Sequence, residues 1–208
     1  MKYKVLALAA CSCILCFSGC RIVSVEDYNK LQDPESPFLS QVSEIFDSKL
    51  IPQIQEHALP VEELLAKLSS ENDFSKACAA YGYRHAEELQ CNFPVKVEGV
   101  ITAIKTNTRR GTVSVKTDEG TEVRVQIGPV IMGTALRDIQ KEVSYEDFND
   151  QTVYGEYGER VNAYAVGKAG QIEYKEGERL EVYGAFSSWD FPSGPSSVQV
   201  APVSIVVK

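Results

Sequence analysis

An α+β fold is what this sequence predicts: a helical N-terminal region, then a small barrel of five antiparallel strands with helices inserted between the third and fourth. Three observations carry that expectation. Apolar residues recur at helical spacing from Phe38 to Tyr83 and switch to strand-like alternation at Phe93. Three alternating segments are followed by a helical stretch and then by two more strands. Gly99 and Gly184 fall inside strand patterns, where a small barrel needs sharp bends.

The first element is a leader, residues 1–19. Lys2 and Lys4 form a short basic start, and Val5 to Phe17 is an apolar run too short to span a bilayer. Ser18-Gly19-Cys20 closes it and resembles a bacterial lipobox, in which Cys20 is lipidated and becomes the mature N-terminus. Several acyl chains on that cysteine would anchor the protein stably to a membrane. An ordinary signal peptide or an N-terminal anchor is the other reading. The leader carries two of the 21 basic residues, so the body keeps 19 against 29 acids, a net charge near −10. That balance argues against a general nucleic-acid binder, whose affinity comes mostly from Lys and Arg on phosphate.

Residues 20–37 are polar, contain Asp33-Pro34 and Ser36-Pro37, and read as a tether. The helical region, 38–92, follows. Leu39, Val42, Ile45, Phe46 and Leu50 form a stripe, and Pro52 is expected to kink or restart that helix. Pro60 suits the first turn of the next helix, with Val61, Leu64, Leu65 and Leu68 on one face. Asn72-Asp73 precedes a third helix that ends at Gly82. Tyr81, Tyr83 and His85 line a pocket or pack at a domain seam. Of six cysteines, three lie in the leader and one is Cys20, which leaves Cys78 and Cys91 in the body. An oxidising compartment permits a bridge between them; two separately buried thiols is the alternative. Neither has a zinc or redox spacing, so no metal and no cofactor is expected.

The barrel region, 93–208, begins with Val95 to Ile104. Thr112–Thr117 alternates, Asp118-Glu119-Gly120 is a hairpin turn, and Thr121–Ile127 is the third strand. A helix is expected from Ala135 to about Glu142 and another from Tyr145 to about Val166, interrupted by Gly155 and Gly158. Leu180–Gly184 is the fourth strand, and Val198–Val207 the fifth, with Pro202 confined to an edge or bulge. This order is that of an OB-fold, a small Greek-key barrel with a helix plugging one end. An open sheet with the same order is the alternative.

One stretch, Gln126 to Asp138, joins a strand through Gly128-Pro129 to a helix opened by Gly133-Thr134. Thr134 is the expected N-cap, and a helix N-terminus there offers backbone N–H groups to an anion or polar ligand. Thr134, Arg137 and Asp138, with Gln126 and Gly128, are therefore the expected ligand-binding residues. Arg137 would clamp a carboxylate, phosphate or sugar hydroxyl, and Arg137→Ala would abolish capture with the fold intact. A tight connector, with Arg137 paired to Asp138 or to a barrel acid, is the competing reading.

The chain resembles a family of predicted periplasmic lipoproteins catalogued as a domain of unknown function. The match is carried by Phe46-Asp-Ser-Lys-Leu-Ile-Pro52, Tyr81-Gly82, Asn92-Phe93, the whole Gln126–Asp138 stretch, and Asp147-Phe148 with Gln151 and Tyr154. Asp150 stands where that family pattern calls for an amide. The resemblance implies a lipid-anchored envelope protein with an OB-like barrel, a companion of sugar-uptake transport systems, and it supplies no enzymatic activity.

Three functions compete. The first is a non-catalytic accessory lipoprotein of the periplasm, its partners the membrane and either a small polar ligand or a transporter component. The second is a barrel that binds glycans or oligonucleotides, using Arg109-Arg110 and exposed tyrosines; the acidic balance disfavours nucleic acid. The third is an enzyme. Adjacent carboxylates such as Glu62-Glu63 or Glu87-Glu88 point about 100° apart on a helix and do not converge on one substrate. No hydrolase, zinc-protease or phosphate-loop signature is present, so no catalysis is expected.

Overall fold

One long strand, β2 (Cys91–Lys105), organises the barrel because it is shared by two neighbours. In the computed structural model, which describes residues 36–148 and 150–208, β2 pairs with β5 (Arg179–Ser188) from Cys91 to Val100 and with β3 (Arg110–Thr117) from Gly99 onward. The leader, Cys20 and the tether up to Glu35 lie outside the described residues. Gly99 sits where β2 changes partners, and a Cβ there would lie 2.2 Å from the Lys116 carbonyl oxygen. Gly184 does the same on β5: its Cβ would lie 2.3 Å from Ala201 O, beside the register shift that accommodates Pro202. Both glycines are bends of the expected kind, needed for close backbone approach.

β4 (Glu122–Pro129) pairs with β3, and β6 (Gln199–Val207) pairs with β5, which leaves β4 and β6 to close the ring. They do so in parallel, Arg124 opposite Gln199 and Val125 opposite Val200. The expectation of a wholly antiparallel barrel is corrected here. Five is an odd number, so strands alternating in direction cannot close without one like-directed seam. The third and fourth barrel strands, β4 and β5, flank the inserted helices as expected. Inside, Val95, Val97, Val113, Val115, Val123, Val125, Leu180 and Val182 alternate inward and are fully buried.

The N-terminal helices have no core of their own. α1 (Pro37–Ser40), α2 (Val42–Ile45) and α3 (Ile51–His57) are joined by a π-helical turn, Phe46–Leu50. Pro52 therefore neither breaks nor sharply restarts the chain. Widening the turn before it relieves the clash of its ring with the preceding carbonyl. Leu39, Val42, Ile45, Phe46, Leu50 and Ile54 bury against Leu136, Ile139, Tyr157, Val161, Ala185 and Val203. α4 (Val61–Ser70) and α5 (Phe74–Tyr81) put Val61, Leu64, Leu68 and Ala77 into the cluster that holds the barrel valines. Regions 38–92 and 93–208 thus share both cores. Pro60 lies one position earlier than expected, at the N-cap of α4, and ends a two-residue strand, β1 (Leu59–Pro60), parallel to Val95-Lys96.

Asp73 caps α5 by accepting from the Lys76 amide, and the helix ends at Gly82 as expected, but not by the left-handed cap. Gly82 has φ −135°, open to any residue; a side chain is excluded because its Cβ would meet Cys91 Sγ at 2.5 Å and Phe93 Cδ1 at 2.9 Å. Cys78 and Cys91 form a disulfide, which settles the two readings left open by the sequence. It ties α5 to the first residue of β2, so β2 begins two residues before the expected Phe93.

Between β4 and β5 the helices differ from expectation. α6 is Ala135–Asp138, four residues only, and does not continue to Glu142. Tyr145–Asp147 is a separate 3-10 turn closed by Ser144 and Asp147, and the long helix α7 runs Gln151–Ala169. Asp150 starts α7: its Oδ1 accepts from the amides of Thr152 (2.6 Å) and Val153 (3.1 Å). An amide side chain at 150 would cap equally well, so the departure from the family pattern keeps the role. Those two backbone hydrogen bonds, Val153 first, hold the Asp150 carboxyl below the usual carboxylate range. A depressed folded-state pKa gives stability above the unfolded value that is lost as pH falls. Asp150→Ala should therefore lower Tm at pH 7. Asp150→Asn should keep Tm there and lose less than wild type on acidification, as read by thermal unfolding from pH 7 to pH 3.

Candidate functional site

The Gln126–Asp138 stretch folds back on itself by a backbone clamp. Gln126 Oε1 accepts from the Met132 amide at 2.7 Å, and its Nε2 donates to Met132 O at 3.4 Å. Gln126 is buried, so its amide fixes the turn and is not presented to solvent. Between them, Gly128 has φ +90° and precedes a cis peptide to Pro129; a Cβ on it would lie 2.7 Å from Val166 Cγ1 of α7. Asn162 of α7 donates to Gly133 O at 2.9 Å and completes the seat.

Thr134 occupies the N-cap position of α6 without capping it, contrary to the expected role. Its hydroxyl donates instead to Asp138 Oδ2 at 2.5 Å. Asp138 Oδ1 accepts from Arg137 Nε at 2.7 Å and from the Tyr154 hydroxyl at 3.1 Å. The guanidinium lies 3.9 Å from the centre of the Tyr154 ring. Gly158 lets α7 approach: a Cβ there would stand 3.1 Å from Arg137 Cδ. Burial, and then the Asp138 carboxylate, push the Tyr154 hydroxyl well above its ordinary value, so it is a permanent donor to Asp138. Beneath, Tyr157 donates to buried Gln140 at 2.7 Å, and burial raises that hydroxyl to about 12.

The structure thus brings Thr134, Arg137 and Asp138 together, but in a node that satisfies itself. Arg137 is paired with Asp138, the competing reading of the sequence. The rest of its guanidinium lies against Tyr154. A four-residue helix has no developed dipole to hold an anion. None of Gln126, Gly128, Thr134, Arg137 or Asp138 lines either of the two clefts that follow.

A cleft of about 290 Å³ opens instead between α3, α5 and the barrel. Tyr81 and Tyr83, singled out in the sequence, form one wall; Lys67 and Lys141 carry its charge, with His57 beside them; Leu59, Pro94 and Ile139 are apolar. Gln53 builds it. Its Nε2 donates to Ile139 O at 2.6 Å, its Oε1 accepts from the Lys141 amide at 3.3 Å, and its carbonyl meets His57 Nδ1 at 2.9 Å. His57 Nε2 then faces Lys141 Nζ at 3.4 Å. Lys67 Nζ stands 5.5 Å above the Tyr81 ring. His85 is drawn aside to the Tyr83 hydroxyl, at 3.2 Å. A larger groove, about 650 Å³, runs between α7 and β6, but its one charged side chain, Lys168, is bonded to Asp47 at 2.7 Å.

Comparison with known proteins bears on the fold. A family model described as a predicted periplasmic lipoprotein (DUF2291) matches residues 10–206. An OB-fold protein from Thermotoga maritima is similar over 82% of this chain and 98% of its own, at 11% identity and a TM-score of 0.62. The OBody AM3L09, solved bound to hen egg-white lysozyme, covers 55% of this chain and 80% of its own at 16% identity, with a TM-score of 0.26. No curated protein matches the chain significantly. The barrel read from strand order is an OB-fold.

Proposed function

The chain belongs to the DUF2291 family of predicted periplasmic lipoproteins, and from that premise we propose a non-catalytic accessory role. The body, held at the membrane by a lipid on Cys20, binds a small polar ligand in the cleft between α3, α5 and the barrel. The observation that carries this reading is the cleft itself, where His57 of α3 and the distant Ile139–Lys141 segment are both held by the one residue Gln53. A few placed polar groups over an apolar floor is the usual composition of a ligand site. The self-satisfied state of the Thr134–Arg137–Asp138–Tyr154 node supports a structural part for it. A component of a sugar-uptake system is the partner that the family resemblance favours.

A second reading keeps one observation of its own. Trp189 is 67% exposed in the loop between β5 and β6, the loop that OB-folds use for oligosaccharides and oligonucleotides. Thermal unfolding of the full-length protein in detergent, against monosaccharides, oligosaccharides, nucleotides and organic acids, separates the two. A ligand at one hundred times its Kd adds about 2.7 kcal/mol. A shift lost in Lys141→Met and kept in Trp189→Ala supports the cleft; the reverse supports the barrel loop. No shift with any compound overturns both and turns attention to a protein partner.

A further inference from the structure

Resting on the reading that this cleft binds a ligand, we infer that the ligand is a small organic anion, a carboxylate or phosphate on a compact apolar or ring-bearing body. The charge inversion is the first reason. The whole chain has 29 acids against 21 basic residues, yet no Asp or Glu is among the residues lining this cleft, while two lysines and a histidine are. With no carboxylate in its lining, the cleft presents a local positive potential in an acidic protein.

Lys141 is the second reason. Lysines elsewhere, such as Lys49, Lys96 and Lys168, reach a carboxylate within 3.0 Å. Lys141, like Lys105 and Lys116 on the barrel, reaches none among the described residues, but it alone of the three stands in the cleft, with its ammonium 3.4 Å from His57 Nε2. His57 Nδ1 faces a carbonyl, which can only accept, so Nδ1 carries the proton and Nε2 offers its lone pair to the ammonium. An ammonium has three donors, and this contact uses one. Lys141 is exposed, so its remaining donors face water, and a carboxylate or phosphate oxygen that displaces that water makes the stronger, charge-assisted bond.

Positioning is the third. The Gln53 side chain fixes the backbone of Ile139 and Lys141, while the Gln53 carbonyl fixes the His57 ring, so one helical residue holds both the ring and the root of the lysine side chain. Lys67, placed over Tyr81, adds a second cation, partly balanced by Glu63 at 3.6 Å. Leu59, Pro94 and Ile139 supply the surface for the ligand body. A volume of about 290 Å³ lies at the small end of ligand sites and suits one ring with its acid group, not an oligomer.

Matched probes test this on the full-length protein in detergent by titration calorimetry: benzoate against benzyl alcohol, and glucuronate and glucose 6-phosphate against glucose. At least one anion should bind tenfold or more tightly than its neutral counterpart. That preference should shrink between 50 and 500 mM salt, vanish in Lys141→Met and largely survive in Lys141→Arg. The salt series needs only the wild-type protein, so the inference stays testable if a variant misfolds. Equal affinity for neutral and anionic partners, or a preference untouched by salt and by Lys141→Met, overturns the anion and leaves a ligand-binding cleft. No binding by any probe overturns the anion and the cleft reading together.

Discussion

Replacing Cys78 and Cys91 together with alanine should lower the unfolding free energy by about 3 kcal/mol. The bridge closes a loop of 13 residues, and removing a link of that span restores roughly this much entropy to the unfolded chain. Both cysteines are buried, at 2% and 0% exposure, so the shortened side chains also leave a gap under Phe93 and Gly82. The bridge also ends in the wall of the cleft. It fastens α5 just before Tyr81 and Gly82, and without it that wall is held by the packing of Phe74, Ala77 and Tyr81 and by the Tyr83–Asn92 backbone bridge. Ligand affinity should therefore fall with stability. Urea unfolding of the wild type, the double variant and the wild type under reductant measures the first effect, and calorimetry with the best-binding probe measures the second. A loss under 1 kcal/mol, or reductant leaving the wild-type midpoint unmoved, would show that the bridge contributes little.

Much of the fold was legible because it rests on local rules. The change from helical spacing to alternation marks the start of β2 to within two residues. Gly99 and Gly184 announce the bends, and Pro202 announces the bulge, because each is a residue type that the backbone there requires or forbids. The parallel seam was equally available, since five strands cannot alternate around a ring. What stayed hidden depends on distance in space. The disulfide needs two Cα atoms brought within reach, and nothing at positions 78 and 91 reports that. The cleft draws Gln53 and His57, Lys67, Tyr81 and Tyr83, and Lys141 from segments tens of residues apart, so no motif spacing exists to find.

The central stretch misled in a more instructive way. Its chemistry is local and therefore conspicuous: a threonine before a helix, then an arginine beside an aspartate. A rule for long helices makes Thr134 a cap, but α6 is four residues long and has Asp138 within reach of that hydroxyl. A carboxylate is the better acceptor for Thr134, and a partner on α7, Tyr154, completes its shell. Tyr154 is sixteen residues away in sequence and was assigned to the same family pattern without any hint that it would stand over Arg137.

Arg137→Ala should accordingly cost about 2–3 kcal/mol of stability and leave probe affinity in the cleft unchanged. Hydrogen bonds to a charged partner contribute about 1.5–3 kcal/mol, and a cation over a tyrosine face about 0.5–2 kcal/mol where water is partly excluded. Arg137 and Asp138 side chains are 16% and 23% exposed, so the upper ends of those ranges do not apply in full. Truncation also strips the aliphatic stem that lies against Gly158, where α7 has no side chain of its own to fill the space. Asp138 would keep Thr134 and Tyr154 but lose the counter-charge it has among the described residues. Asp138→Asn should be milder, because an amide oxygen still accepts from the tyrosine. The two substitutions share one interaction, so their combined effect should fall short of the sum by about 1 kcal/mol or more in a double-mutant cycle. Arg137→Lys keeps the charge and loses the planar stack and the Nε contact, and should lie between wild type and alanine. The informative outcome is the split between readouts. If Arg137→Ala is as stable as wild type and yet loses binding of the probes, the residue belongs to the ligand and the node is a site. If stability falls while affinity in the folded protein holds, the arginine is what fixes the plug against α7, and recognition lies with Lys141.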